Sequence, residues 1–180
     1  MPEIKSDSVR MVFTSPPYWN LKDYDHPGQI GQEDYQTYLE RLNSVWEECW
    51  RVTKSNGLLI INAGCRRVDG VYHHIAMDIY NHMIERKSRW KLIDQFVWYI
   101  PNALPQPAHY LDRLFDNKYE PVLCFAKNYE YDYVFNKIRV RQKWMGVDPR
   151  KGKLNPEGRC IGNVLRIPAY RPPPIKKMNY

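Results

Sequence analysis

The run Val12-Phe13-Thr14-Ser15-Pro16-Pro17-Tyr18-Trp19 joins an apolar stretch to a hydroxyl, two consecutive prolines and two aromatic rings. That combination suits one kind of substrate group, the exocyclic amine of a pyrimidine or of adenine. The lone pair of such an amine is delocalised into the ring and its two hydrogens lie in the ring plane, so the nitrogen is a poor nucleophile. Ser15 Oγ and the Pro16 carbonyl can accept hydrogen bonds from the two N–H groups and draw the nitrogen toward tetrahedral geometry, provided both acceptors are fixed in advance. Two prolines in succession fix φ twice and carry no N–H, which leaves carbonyls free to point into a site. Tyr18 offers a face on which an extruded base can stack, a contact worth about 1–3 kcal/mol in single-strand binding systems. Ser15, Pro16, Pro17 and Tyr18 are therefore the candidate catalytic residues, with Pro17 and Thr14 in support. Trp19 fits either a pocket wall or an ordinary core position. The same residues would also suit a strand with a Pro-Pro turn or a polyproline ligand segment, so the surrounding elements have to decide.

A buried strand over residues 8–13 would deliver the Pro-Pro turn at its C-terminal end, where open α/β sheets place ligand chemistry. Beyond a loop rich in Asp, Gly, Pro and His, residues 33–52 carry Tyr35, Tyr38, Leu39, Leu42, Val45, Trp46 and Cys49 at helical spacing. Ser55-Asn56-Gly57 reads as the stop of that helix, and residues 58–62 as an apolar strand with a polar end in a covered parallel sheet. Tyr72, Ile75, Ala76, Ile79 and Met83 mark a second helix, with residues 85–89 as its basic last turn. Residues 92–99 and 119–126 read as strands flanking a long Pro-containing segment, and loops of that length are usually functional. Residues 129–135 are a candidate extension of the sheet. No internal repeat is visible.

With 180 residues the chain has the size of one domain or part of one, and 43% hydrophobic with 14% aromatic residues argues against wholesale disorder. Neither a bilayer-spanning apolar run nor the basic-then-apolar order of a signal peptide is present, which points to the cytoplasm. Cys49, Cys65, Cys124 and Cys160 form no C-x-x-C pair and read as reduced thiols without zinc-ligand spacing. The net charge of +7 is unevenly distributed. Residues 137–180 hold 12 Lys/Arg against 2 Asp/Glu, a net of +10, while residues 1–136 carry −3. Arg139, Arg141, Lys143 and Arg150 are the foremost candidates for nucleic-acid contact, with Arg113 and Lys118 near the long loop as further ones. Arg113 beside Asp112 would equally make an ordinary surface pair.

Thr14-Ser15-Pro16-Pro17-Tyr18-Trp19 resembles the catalytic motif of the amino-methylating DNA methyltransferases, in its N4-cytosine form. Trp98, Pro101-Asn102, Pro105, Arg113, Glu120, Phe125 and Lys127 are similar to the strands that follow that motif, and residues 163–168 to the segment after the target-recognition region. Ile100 stands where members commonly have lysine. The resemblance implies an α/β, S-adenosylmethionine-dependent methyltransferase-like sheet that acts on a flipped base in double-stranded DNA. It divides the chain into a catalytic half, 1–135, and a basic recognition region, 136–180. Cofactor binding in the family rests on a Phe-x-Gly-x-Gly-type turn, and this sequence contains no G-x-G. The expectation is a catalytic half whose first strand is left as an open apolar edge, completed by a second polypeptide or a C-terminal extension. Two alternatives stand beside cytosine-N4 methylation: adenine-N6 methylation, and a non-catalytic DNA-binding fragment or subunit. An RNA-binding module lacks its aromatic motif.

Overall fold

The computed structural model describes residues 1–105, 113–128, 134, 136, 139, 140 and 159–170. The chain begins with strand β1 (Val9–Thr14), the motif and a short 3-10 turn (Trp19–Leu21), then helix α1 (Tyr35–Val52) and strand β2 (Thr53–Asn62). A hairpin of β3 (Arg66–Val68) and β4 (Val71–His73) precedes helix α2 (Ile75–Glu85) and strands β5 (Lys91–Tyr99) and β6 (Tyr119–Ala126). Three short strands follow: β7 (Arg139–Val140), β8 (Arg159–Cys160) and β9 (Val164–Arg166). The main sheet runs β1-β2-β6-β5-β9, with β1 parallel to β2, β6 antiparallel to both of its neighbours, and β9 parallel to β5.

Sheet register explains why one face is buried. Val12, Leu59, Phe125 and Leu92 align across four strands, and Leu59, Ile61, Leu123 and Phe125 pack with Tyr38, Leu42 and Trp46 of α1 and Ile75, Ile79 and Met83 of α2. Met11 and Phe13 alternate to the other face, next to Leu58 and Ile60, and remain 53% and 63% exposed. Among the described residues β1 therefore ends the sheet as the expected open apolar edge, and helices cover β2 on one side only.

Several readings need correction. The strand expected as buried at residues 8–13 is exposed on one face, and residues 58–62 pair in parallel with β1 but antiparallel with β6, so the sheet is mixed. The helix stops at Val52, not at Ser55-Asn56-Gly57, and the chain enters β2 at once. Val9 pairs with Thr53 but Met11 with Leu58, so residues 54–57 form an irregular excursion inside the strand. Tyr72 lies in β4, not in the second helix, and Arg86 caps that helix, leaving residues 87–89 outside it. Residues 129–133 and 135 of the candidate sheet extension lie outside the described residues. Among the described residues no helix is long and apolar enough to cross a membrane.

Candidate active site

The C-terminal ends of β1, β2, β5 and β9 and the N-terminal end of β6 meet at one end of the sheet, because β6 runs opposite to its neighbours. There Ser15, Pro16, Pro17, Tyr18 and Trp19 line a cavity of about 520 Å³, together with Leu21, Lys22, Tyr24, Asn62, Trp98 and Glu120. The volume accommodates a nucleobase. Ser15 is exposed to the cavity while Pro16 is buried.

Pro17, Tyr18 and Trp19 are each held by a contact from another part of the chain. Tyr38, fully buried on α1, donates its hydroxyl to the Pro17 carbonyl at 2.7 Å, so that carbonyl is already engaged within the protein. Trp19 adopts φ of 50°, a left-handed conformation rare for a bulky residue. It is held there by donation from its indole N–H to the Glu33 carbonyl at 2.8 Å and by ring contacts to Tyr35 at 4.8 Å and His73 at 5.1 Å. Gly31 makes room beneath it, since a Cβ at that position would lie 2.6 Å from the Trp19 carbonyl oxygen. Trp19 thus takes both of the roles expected for it, lining the cavity and packing against the core cluster.

Tyr18 donates its hydroxyl to Glu120 Oε2 at 2.7 Å and accepts from Asn62 Nδ2 at 3.0 Å and from Ser15 Oγ at 3.2 Å. Asn62 Nδ2 also reaches Glu120 Oε2 at 2.7 Å. Burial first, and then the Glu120 carboxylate, push the Tyr18 phenol far above its ordinary pKa, so it stays protonated. Gly64 lets the ring lie close to the backbone, because an added Cβ would stand 2.9 Å from it. Asn62, Glu120 and Tyr38 were not singled out by the sequence as site residues. The available signals were the polar end of an otherwise apolar strand, at Asn62, and the place of Glu120 among the residues of the resemblance.

The described basic candidates, Arg113, Lys118 and Arg139, do not line this cavity. Arg113 is exposed and Lys118 half-buried, its carbonyl accepting from Ile100 N–H at 2.7 Å. Arg139 is half-buried on β7, while Arg141, Lys143 and Arg150 lie outside the described residues. The two later stretches of the resemblance do meet. Trp98 donates its indole N–H to the Ile167 carbonyl at 2.7 Å, and Asn102 exchanges two hydrogen bonds with Ala169. Among the described residues no group of His, Cys, Asp and Glu is placed to hold a metal.

A DNA methylase family model, covering the N6 and N4 methyltransferases, matches residues 9–179. The chain belongs to this DNA methylase family. It is 40% identical over 193 aligned positions to the type II methyltransferase M.SmaI of Serratia marcescens, covering 92% of this chain and 63% of that protein. With M.MwoI of Methanothermobacter wolfeii it shares 38% identity over 151 positions, 78% of this chain and 22% of the relative. In fold it is similar to the cytosine-N4-specific PvuII DNA methyltransferase, with a TM-score of 0.65 at 18% identity, over 96% of this chain and 55% of that one. A DNA modification methylase of Thermus thermophilus, solved with S-adenosyl-L-methionine, gives a TM-score of 0.54 at 27% identity, over 74% and 54% of the two chains. This chain spans about a fifth to two thirds of the length of these proteins.

Proposed function

We propose that this chain carries the amine-receiving half of an S-adenosylmethionine-dependent DNA methyltransferase that modifies N4 of a cytosine extruded from duplex DNA. The observation that carries the reading is Ser15, exposed at the rim of a walled cavity at the C-terminal end of β1, on a turn fixed by two prolines, Tyr38 and the Trp19 contacts. Ser15 Oγ and the Pro16 carbonyl receive the two amine hydrogens, and the Tyr18 ring packs against the base. Amine methylation is a direct displacement, so no cysteine nucleophile is called for. The methyl donor supplies an electrophilic carbon when bound. The cavity does not hold it unaided: the sequence has no G-x-G turn, and the one carboxylate lining the cavity, Glu120, is already engaged by Tyr18 and Asn62. We assign the cofactor-holding residues to a further segment or partner polypeptide docked along β1, and the DNA phosphates to Arg113, Lys118, Arg139, Arg141, Lys143 and Arg150. A substrate of cellular DNA places the protein in the cytoplasm.

Adenine-N6 methylation is the second reading, favoured by 24% identity over 94% of this chain to the DNA adenine methyltransferase YhdJ of Escherichia coli. Mass spectrometry of nucleosides from DNA treated with the completed enzyme tests the choice, with N4-methylcytosine expected. N6-methyladenine alone would move the assignment to the second reading, and 5-methylcytosine would overturn the amine mechanism.

A further inference from the structure

Glu120 and Asn62 make no contact that the methyl transfer itself calls for, yet they converge on the hydroxyl of Tyr18. An ionised carboxylate only accepts, so the Tyr18 proton is committed to Glu120 Oε2 at 2.7 Å. The Asn62 amide is oriented by the same logic. Turned round, it would set its oxygen against the carboxylate and give up both the 2.7 Å and the 3.0 Å bonds. With its proton spent on Glu120, the phenol oxygen is an acceptor toward Ser15, whose hydroxyl proton points to it over 3.2 Å. The lone pairs of Ser15 Oγ are what remains for the cavity.

We propose that Glu120 and Asn62 are positioning residues that set a one-way hydrogen-bond chain, Ser15 to Tyr18 to Glu120, and so make the pocket select a ring amine over a ring carbonyl. The inference rests on the reading of the cavity as an amine-receiving site. A base with a carbonyl at the same ring position, such as uracil, presents lone pairs to lone pairs and leaves Ser15 without a bond. A site built to accept rejects an analogue that cannot donate, because its own polar group is then left unpaired. Replacing Glu120 by Leu removes the acceptor, so the phenol proton can turn to Ser15 and reverse the chain. Tyr18→Phe keeps the ring but frees the Ser15 proton to rotate.

The test uses the 180-residue protein and fluorescein-labelled oligo-dT carrying one central dC or one central dU, with affinities read by fluorescence anisotropy. The wild type is expected to prefer dC by roughly fivefold, about one hydrogen bond's worth. Tyr18→Phe and Glu120→Leu should each bring that ratio close to unity by raising affinity for the dU strand, Glu120→Asp should retain the preference, and the double variant should be no worse than either single one. In the completed enzyme the same two variants should lower kcat and leave KM for DNA unchanged. A wild type with no preference, or a Tyr18→Phe protein that keeps both preference and kcat, overturns the chain. Should Glu120→Leu melt early, Tyr18→Phe decides alone. Failure of the functional reading is a separate result: the completed enzyme would then give no N-methylated base at all.

Discussion

Ser15 and Tyr18 are three residues apart and share a hydrogen bond, yet their removal should act on different steps. Ser15→Ala deletes one preorganised acceptor and is expected to cost about 2–4 kcal/mol of transition-state stabilisation, with DNA affinity nearly intact. Tyr18→Ala should instead weaken capture of the extruded base, and it also strips a partner from both Asn62 and Glu120. Single-turnover rates beside DNA affinities separate the two effects, and near-wild-type methylation by Ser15→Ala would remove Ser15 from the mechanism. The motif was legible because it is contiguous, so its proline count and ring positions could be read directly. Its supports were not. Tyr38 and Asn62 reach it from 21 and 44 residues away and Glu120 from 102, and nothing local marks a tyrosine in a helical stripe as the holder of a carbonyl.

Helix α1 was visible in its apolar spacing, and strand β6 falls on the residues expected, because α1 buries one periodic face and β6 is buried continuously over its last six residues. The β3–β4 hairpin was missed although Asp69-Gly70 is the turn pair such hairpins favour, with φ of 49° and 80°. Tyr72 precedes Ile75 by three residues and so fits a helical period as well as a strand, and the longer pattern prevailed. What α1 does for the site gives it a signature in pH. Tyr38 and Tyr35, with Tyr18 beside them, are pushed above the ordinary phenol pKa of 10.0, burial being the largest cause for each. Above that pH the unfolded chain releases phenol protons that the folded chain retains, so stability is full below about pH 10 and falls as pH rises beyond it. Urea midpoints measured from roughly pH 8 to 11 should be flat and then decline, with a shallower decline in Tyr38→Phe, which has no proton to lose at that position. A midpoint unchanged at the alkaline end would contradict the burial of these hydroxyls.

Across the whole molecule the charge is segregated, −3 before residue 137 and +10 after it, so the second part should supply most of the counterion release from a duplex. Neutralising Arg139, Arg141, Lys143 and Arg150 together should lower DNA affinity and flatten the dependence of log K on log salt, whereas an unchanged slope would show that this surface does not meet phosphate. Deleting the segment is a poorer test, because β9 pairs with β5 and Ile167 accepts from Trp98. The other end of the sheet is unfinished in a different sense. Among the described residues β1 has one neighbour, and Met11 and Phe13 are more than half exposed along it, an apolar edge that invites pairing. The relatives are longer than this chain, and its sequence lacks the glycine turn that cradles S-adenosylmethionine in the family it belongs to. The 180-residue protein alone should therefore bind S-adenosylmethionine weakly or not at all. A polypeptide carrying a Phe-x-Gly-x-Gly-type turn should restore binding and raise solubility by pairing with β1, since a ligand or partner that binds only the folded form adds to its stability. Calorimetry on the isolated chain and on the reconstituted pair distinguishes the cases. Micromolar binding by the isolated chain would place a cofactor site within these residues and remove the need for anything along β1.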